Sequence, residues 1–203
     1  MTRRIGILGG SFNPIHIGHL TIAREAAKRF DLRQVVFVPT GMPPHKNPKT
    51  LAPREDRYQM LKIATRHRRG FEISRVELDR DGYSYAYDTF QQLQKEFGGD
   101  TDLFYIMGLD SINEILSWKK PMELFKMCEF IVATRPGSRL RTFRRLFKFP
   151  PLQHYFDKIH LMELEMKISA TELRRRIREG RTVGRRIPKA VLEYIKEHDL
   201  YRD

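Results

Sequence analysis

The chain holds one cysteine, Cys128, and one tryptophan, Trp118. No apolar run approaches the ~20 residues that cross a membrane. A lone cysteine excludes an intramolecular disulfide and points to a reducing compartment. Cys128 stands in FKMCEFIVA, where a small buried apolar residue is expected rather than a reactive thiol. The N-terminal stretch has no long apolar segment of the kind a signal peptide needs. These absences read as a soluble, cytoplasmic protein. Neither G-x-G-x-x-G nor G-x-x-x-x-G-K-S/T stands in the first loop, which removes the dinucleotide fingerprint and the P-loop from the readings of that loop. Internal repeats, low-complexity tracts, a zinc framework and a linker long enough to divide the chain are also missing.

What is present suits one sizeable core: 203 residues, 40% of them hydrophobic. The expectation is a single domain over 1–203, with 165–203 as a small helical C-terminal cap. Lys and Arg outnumber Asp and Glu by 38 to 25, a net charge of +13, which favours anionic partners such as nucleotides or nucleic acid. Much of the excess lies in RHRR (66–69), RLRTFRRLFK (139–148) and RRRIREGRTVGRR (174–186). Each run also reads as a solvated face. Charge alone does not separate a nucleic-acid binder from an enzyme of phosphate-rich substrates.

Strand and helix patterns alternate along the chain. RRIGIL reads as a strand, and residues 19–30 as a helix with Leu20, Ile22, Ala23, Ala26, Ala27 and Phe30 as its apolar positions. QVVFVP (34–39) is a buried strand, followed by a Pro-rich loop over 40–53. Residues 54–66 fit a helix with Tyr58, Leu61, Ile63 and Ala64 apolar, and FEISRVEL (71–78) alternates like a strand. A helix over 84–97 ends at Gly98 and Gly99. A strand over 102–108, a helical stretch over 109–127 broken near Pro121, and strands over 130–137 and 159–164 follow. Two closing helices span 169–180 and 188–198, the second with Pro188 at its first position. Repeated β–α alternation with non-alternating apolar strands predicts an α/β fold, a doubly wound, mostly parallel sheet covered on both faces.

Ligands of such a sheet bind beyond the carboxyl ends of its strands. The stretch there is GGSFNPIHIGH. Gly9 and Gly10 are expected to admit an anion closely and to take positive φ. Ser11 adds a hydroxyl, and the helix start near Gly18 offers unpaired N–H groups. His16 and His19, three apart at a helix start, can face one point and stabilise charge developing on a phosphoryl oxygen. Capping and packing are the plainer roles for them. A zinc site would need further ligands nearby, and none stands there, so no metal is assigned to these histidines.

GGSFNPIHIGH, with HIGH letter for letter, resembles the signature of the H-x-G-H nucleotidylyltransferase superfamily. The resemblance implies a Rossmann-like nucleotidylyltransferase fold. It also implies direct attack of a substrate phosphate or carboxylate on the α-phosphorus of a nucleoside triphosphate, with Mg²⁺ accompanying the ATP, pyrophosphate leaving and no covalent intermediate. Four more stretches resemble the bacterial nicotinate mononucleotide adenylyltransferase family: PPHK (43–46), GLDS (108–111), TRPG (134–137) and ISATELR (168–174), in family order from Ile5 through Tyr201. The implied substrates are ATP and nicotinate mononucleotide, and the implied setting is NAD biosynthesis.

The same resemblance assigns roles. His16 and His19 are the α-phosphate stabilisers. Gly9, Gly10, Ser11, Phe12, Gly108, Asp110, Arg135, Ile168, Ser169, Thr171 and Arg174 meet ATP. Thr40, His45, Lys46, Tyr85, Ala86, Trp118 and Lys119 meet the mononucleotide, with Trp118 stacking on the pyridine ring and the amides near Tyr85 and Ala86 taking its carboxylate. The family usually has Thr where Ala86 stands, which leaves the amide and removes a hydroxyl. Plainer readings stand beside several of these: Asp110 as a helix cap, Ser169 and Glu172 as a capping box, Tyr85 as a core residue. Phosphopantetheine adenylyltransferase and an amide-preferring enzyme are rivals within the class, and a nucleic-acid-binding module is the rival outside it. Self-association is left open.

Overall fold

The computed structural model describes residues 2–44, 50–134, 136, 149–165 and 168–202. Six strands form one sheet: β1 (Arg3–Gly10), β2 (Gln34–Pro39), β3 (Phe71–Ile73), β4 (Thr101–Gly108), β5 (Glu129–Thr134) and β6 (Ile159–Glu163). Their order is β3-β2-β1-β4-β5-β6 and every pairing is parallel. Among the described residues the α-helices are α1 (Ile17–Arg29), α2 (Arg54–Thr65), α3 (Ala86–Phe97), α4 (Leu109–Asn113), α5 (Pro121–Met127), α6 (Ala170–Arg178) and α7 (Lys189–Glu197).

The strands are apolar at successive positions because both faces are covered. Leu8, Val35, Phe37, Phe104, Ile106 and Ile131 point into one core, shared with α1, α2, α6 and α7. Ile5, Ile7, Val36, Val38, Leu103, Phe130 and Val132 point into the other, shared with α3 and α5. Cys128 is buried in that second core, and burial pushes its thiol well up. The C-terminal helices bury Leu173, Val191 and Ile195 among the residues of the first core.

Several boundaries differ from the sequence reading. FEISRVEL is a strand only through Ile73; the chain then turns, with the Leu78 and Asp79 N–H groups donating to the Arg75 carbonyl. In α2 the buried stripe is Arg57, Met60, Leu61, Ala64 and Thr65, so Tyr58 and Ile63 stand beside it rather than in it. Pro188 is the residue before the first turn of α7, with extended ψ, not its first helical residue.

The chain runs from β1 outward to β2 and β3, then returns to β4 on the other side of β1. This places a topological switch point between β1 and β4. Register aligns Gly10 with Pro39 and Gly108 with Ala133, so the carboxyl ends of the central strands share one rim.

Candidate active site

The glycines of the first stretch are the last two residues of β1, paired with Val38 and Pro39. They do not carry the positive φ expected of them; Phe12 does, at 45°. Their lack of a side chain serves close approach instead. A Cβ at Gly9 would lie 3.2 Å from the Tyr105 hydroxyl, and one at Gly10 would lie 3.4 Å from the Phe12 ring. Phe12 is fully buried, 5.8 Å from the Phe37 ring and edge-on to His19 at 5.0 Å. This anchors the loop before the helix begins.

His16 is the residue before α1 and His19 lies in its first turn. The His16 N–H donates to His19 Nδ1 at 3.3 Å, so neutral His19 carries its proton on Nε2. The two rings stack 3.7 Å apart and 14° from parallel. Gly18 makes this possible: a Cβ there would press within 3.0 Å of the His16 ring and meet Ile168 at 3.7 Å. His16 is 7% exposed. Burial pulls its pKa down to about 4 against a smaller opposing effect of its backbone hydrogen bond, so the ring is neutral near pH 7. Its side chain faces the His19 N–H in a capping-box arrangement, and its Nδ1 is buried.

Chain from the far end of the sequence reaches this loop. Ser169 caps α6, accepting the Glu172 N–H at 3.5 Å. The expected capping box forms only by half, because the Glu172 carboxylate turns to Arg175 and Arg176 at 2.9 and 2.8 Å. Arg174 donates to Thr171 Oγ1 at 3.3 Å and to the Asn13 carbonyl at 2.9 Å. Ile168 thus lies against Gly18, and Arg174 ties Thr171 to the Asn13 carbonyl in the loop that leads to the histidines.

A second group forms around the start of α3. The Thr40 N–H donates to the Gly10 carbonyl at 2.9 Å, and the N–H groups of Gly41 and Met42 both donate to Ser84 Oγ at 3.1 and 3.2 Å. Tyr85 precedes α3 and Ala86 is its first residue. Lys119 Nζ lies 5.0 Å from the centre of the Tyr85 ring and 2.8 Å from the Asp88 carboxylate. Trp118 is half-buried, 6.1 Å from the Tyr105 ring, whose hydroxyl lies beneath Gly9. Gly108 and Asp110 are exposed at the end of β4, with open space beside Gly108. His45, Lys46 and Arg135 lie outside the described residues.

Four residues of this region were not singled out by sequence. Asn13 and Arg57 are 3% and 1% exposed, and both bond main-chain groups of the two loops. Glu77 is buried against the Thr89 hydroxyl at 2.8 Å, and its burial raises its pKa against that hydrogen bond. Ser84 holds the Gly41 segment. For Arg57 a signal existed: it stands four before Leu61 and seven before Ala64, on the core stripe of α2. A cavity of about 420 Å³ opens beside these residues, with Arg54, Arg57 and Arg80 in its wall.

Comparison with known proteins gives the chain a family. The cytidylyltransferase-like family model matches residues 7–176. A Moorella thermoacetica protein named "Probable nicotinate-nucleotide adenylyltransferase" is 42% identical, over 98% of this chain and 92% of its own length. One of the same name from Acidothermus cellulolyticus is 44% identical, over 98% and 94%. The solved structure of Plasmodium falciparum nicotinic acid mononucleotide adenylyltransferase complexed with NaAD superposes with a TM-score of 0.78 at 20% identity, covering 98% of this chain and 97% of that one; this likeness is one of fold. The loop that stacks His16 on His19 across Gly18 thus stands in a chain that belongs to the cytidylyltransferase-like family and, within it, to the nicotinate-nucleotide adenylyltransferases.

Proposed function

We propose that this chain transfers the adenylyl group of ATP to nicotinate mononucleotide, giving nicotinate adenine dinucleotide and pyrophosphate in NAD biosynthesis. The observation that carries the reading is the stacked pair His16 and His19 at the start of α1, with Arg174 held against the same loop. A mononucleotide phosphate oxygen attacks the α-phosphorus; the new P–O bond forms as the bond to the pyrophosphate oxygen breaks, and pyrophosphate takes that electron pair. The chain needs no nucleophile of its own. Its part is to align two anions and to meet the charge that builds between them.

Neutral His16 and the Nε2–H of His19 suit the α-phosphoryl oxygens, where preorganised donors act in a partly dry site. Ser169, Thr171 and Arg174 suit the departing pyrophosphate, since a capped helix start beside a guanidinium is an anion site. Gly108 and Asp110 fit the nucleoside, and Thr40, Tyr85, Ala86, Trp118 and Lys119 fit the mononucleotide. Mg²⁺ enters with ATP, as part of that substrate, and screens its triphosphate.

The test is pyrophosphate release with ATP and Mg²⁺, comparing nicotinate mononucleotide, nicotinamide mononucleotide and phosphopantetheine. Strong preference for the acid is expected. Preference for the amide would reject the carboxylate pocket at Tyr85 and Ala86, and release with phosphopantetheine alone would reject the substrate reading.

A further inference from the structure

Asn13 uses its whole side chain to join distant segments. Its Nδ2 donates to the Thr50 carbonyl at 2.9 Å, while its Oδ1 accepts from the Ala52 N–H at 2.9 Å and from the Tyr201 hydroxyl at 2.8 Å. Its carbonyl takes the Arg174 guanidinium. Arg57 staples the same segments from α2. It donates to the carbonyls of Ala52 at 3.0 Å, Ser11 at 3.0 Å and Gly41 at 3.4 Å. Residues 11–13 lead into the histidine pair, and residues 41–52 belong to the segment that follows Thr40. The relative placement of the two substrate loops therefore rests on a few partly buried hydrogen bonds, one of them supplied by Tyr201, from the far end of the sequence.

Tyr201 is built for that bond. Its φ is 67°, in the left-handed region that a bulky residue rarely occupies. Its side chain packs against the core that holds Phe12 and Ile15. Burial raises its hydroxyl well above the ordinary tyrosine range, so it remains a donor. We propose that Tyr201 is a positioning residue for adenylyl transfer, holding Asn13 so that the histidine loop and the mononucleotide loop keep one fixed alignment. The proposal rests on the reaction proposed above.

Each substrate still finds its own loop when this bond is lost; what suffers is the alignment of one against the other. Tyr201→Phe deletes the hydroxyl and keeps the ring. The experiment measures kcat, both KM values and the thermal midpoint for wild type, Y201F, N13S and the double variant. The expected result is a kcat roughly ten-fold lower or more in Y201F, with each KM within about three-fold of wild type and the folded protein retained. The double variant should be no slower than N13S, because both changes break one link. A Y201F kcat equal to wild type overturns the proposal. So does a multiplicative loss in the double variant, or a loss that follows only the fraction unfolded. Wild type is assayed first with each candidate acceptor and the variants with whichever it turns over, so failure of the substrate reading is seen separately.

Discussion

At the residue scale, the histidine pair divides its work by burial. His16 is neutral because the site excludes the water that would solvate its charge. Its folded pKa lies below the ordinary 6.5, so between pH 6.5 and about 4 the unfolded chain binds a proton that the folded chain does not. Stability is therefore full above pH 6.5 and is lost as pH falls toward 4, by on the order of 3 kcal/mol. Denaturant titrations of wild type and His16→Asn across that window should show the acid-side loss in wild type and a flatter profile in the variant. Equal slopes in the two would remove this account of His16. His19 has the more accessible ring, with its proton set on Nε2 by the His16 N–H. His19→Ala should lower kcat by ~10²-fold or more, as for loss of a preorganised donor, and a near-wild-type kcat would end its proposed role.

At the element scale, the segment after β2 is held by contacts that admit no side chain at Gly41. A Cβ there would lie 2.1 Å from the Glu77 carbonyl oxygen, and that carbonyl is backbone. Gly41→Ala must move the segment off Ser84 or push the turn after β3. The expected cost is about 2 kcal/mol or more, a fall in thermal midpoint of roughly 4–8 °C for a chain of this size, with a raised KM for the mononucleotide and a nearly unchanged KM for ATP. A midpoint within about 1 °C of wild type would show that the segment relaxes without cost. This contact also marks what the sequence leaves unread. The order of strands and helices is legible, because apolar runs over β1, β2, β4 and β5 need two covered faces and their neighbours carry helical spacing. HIGH and ISATELR are legible because their spacing is local. The bonds of Asn13 to Thr50 and Tyr201, and of Arg57 to Ser11, Gly41 and Ala52, join residues whose nearness exists only after the sheet has formed. The short β3 escapes for a related reason: its alternation continues to Leu78, while the turn after it is held by Glu77, whose carbonyl lies against Gly41 and whose carboxylate takes the Thr89 hydroxyl of α3.

At the scale of the whole molecule, the net charge of +13 has a use that the fold narrows. The arginines of 66–69 are exposed. Those of α6 are partly spent on neighbours: Arg175 and Arg176 pair with Glu172, and Arg175 with Glu179. Arg174, in contrast, bonds the histidine loop. The exposed remainder gives a positive field that draws anions, whose reach falls from about 8 Å at 0.15 M salt to about 3 Å at 1 M. Both proposed substrates are anionic, so salt should act on their capture. The donors proposed for the α-phosphate, His16 and His19, are buried and half-buried, and are screened far less. Raising KCl from about 0.05 M to about 0.5 M should thus increase both KM values several-fold and change kcat by less than about two-fold. Steady-state kinetics across that range decides it. A kcat that falls with salt while KM holds would mean that the surface charge supports the assembled site rather than substrate capture. Tight, salt-sensitive binding of DNA or RNA competing with ATP would instead tie the basic runs to nucleic acid.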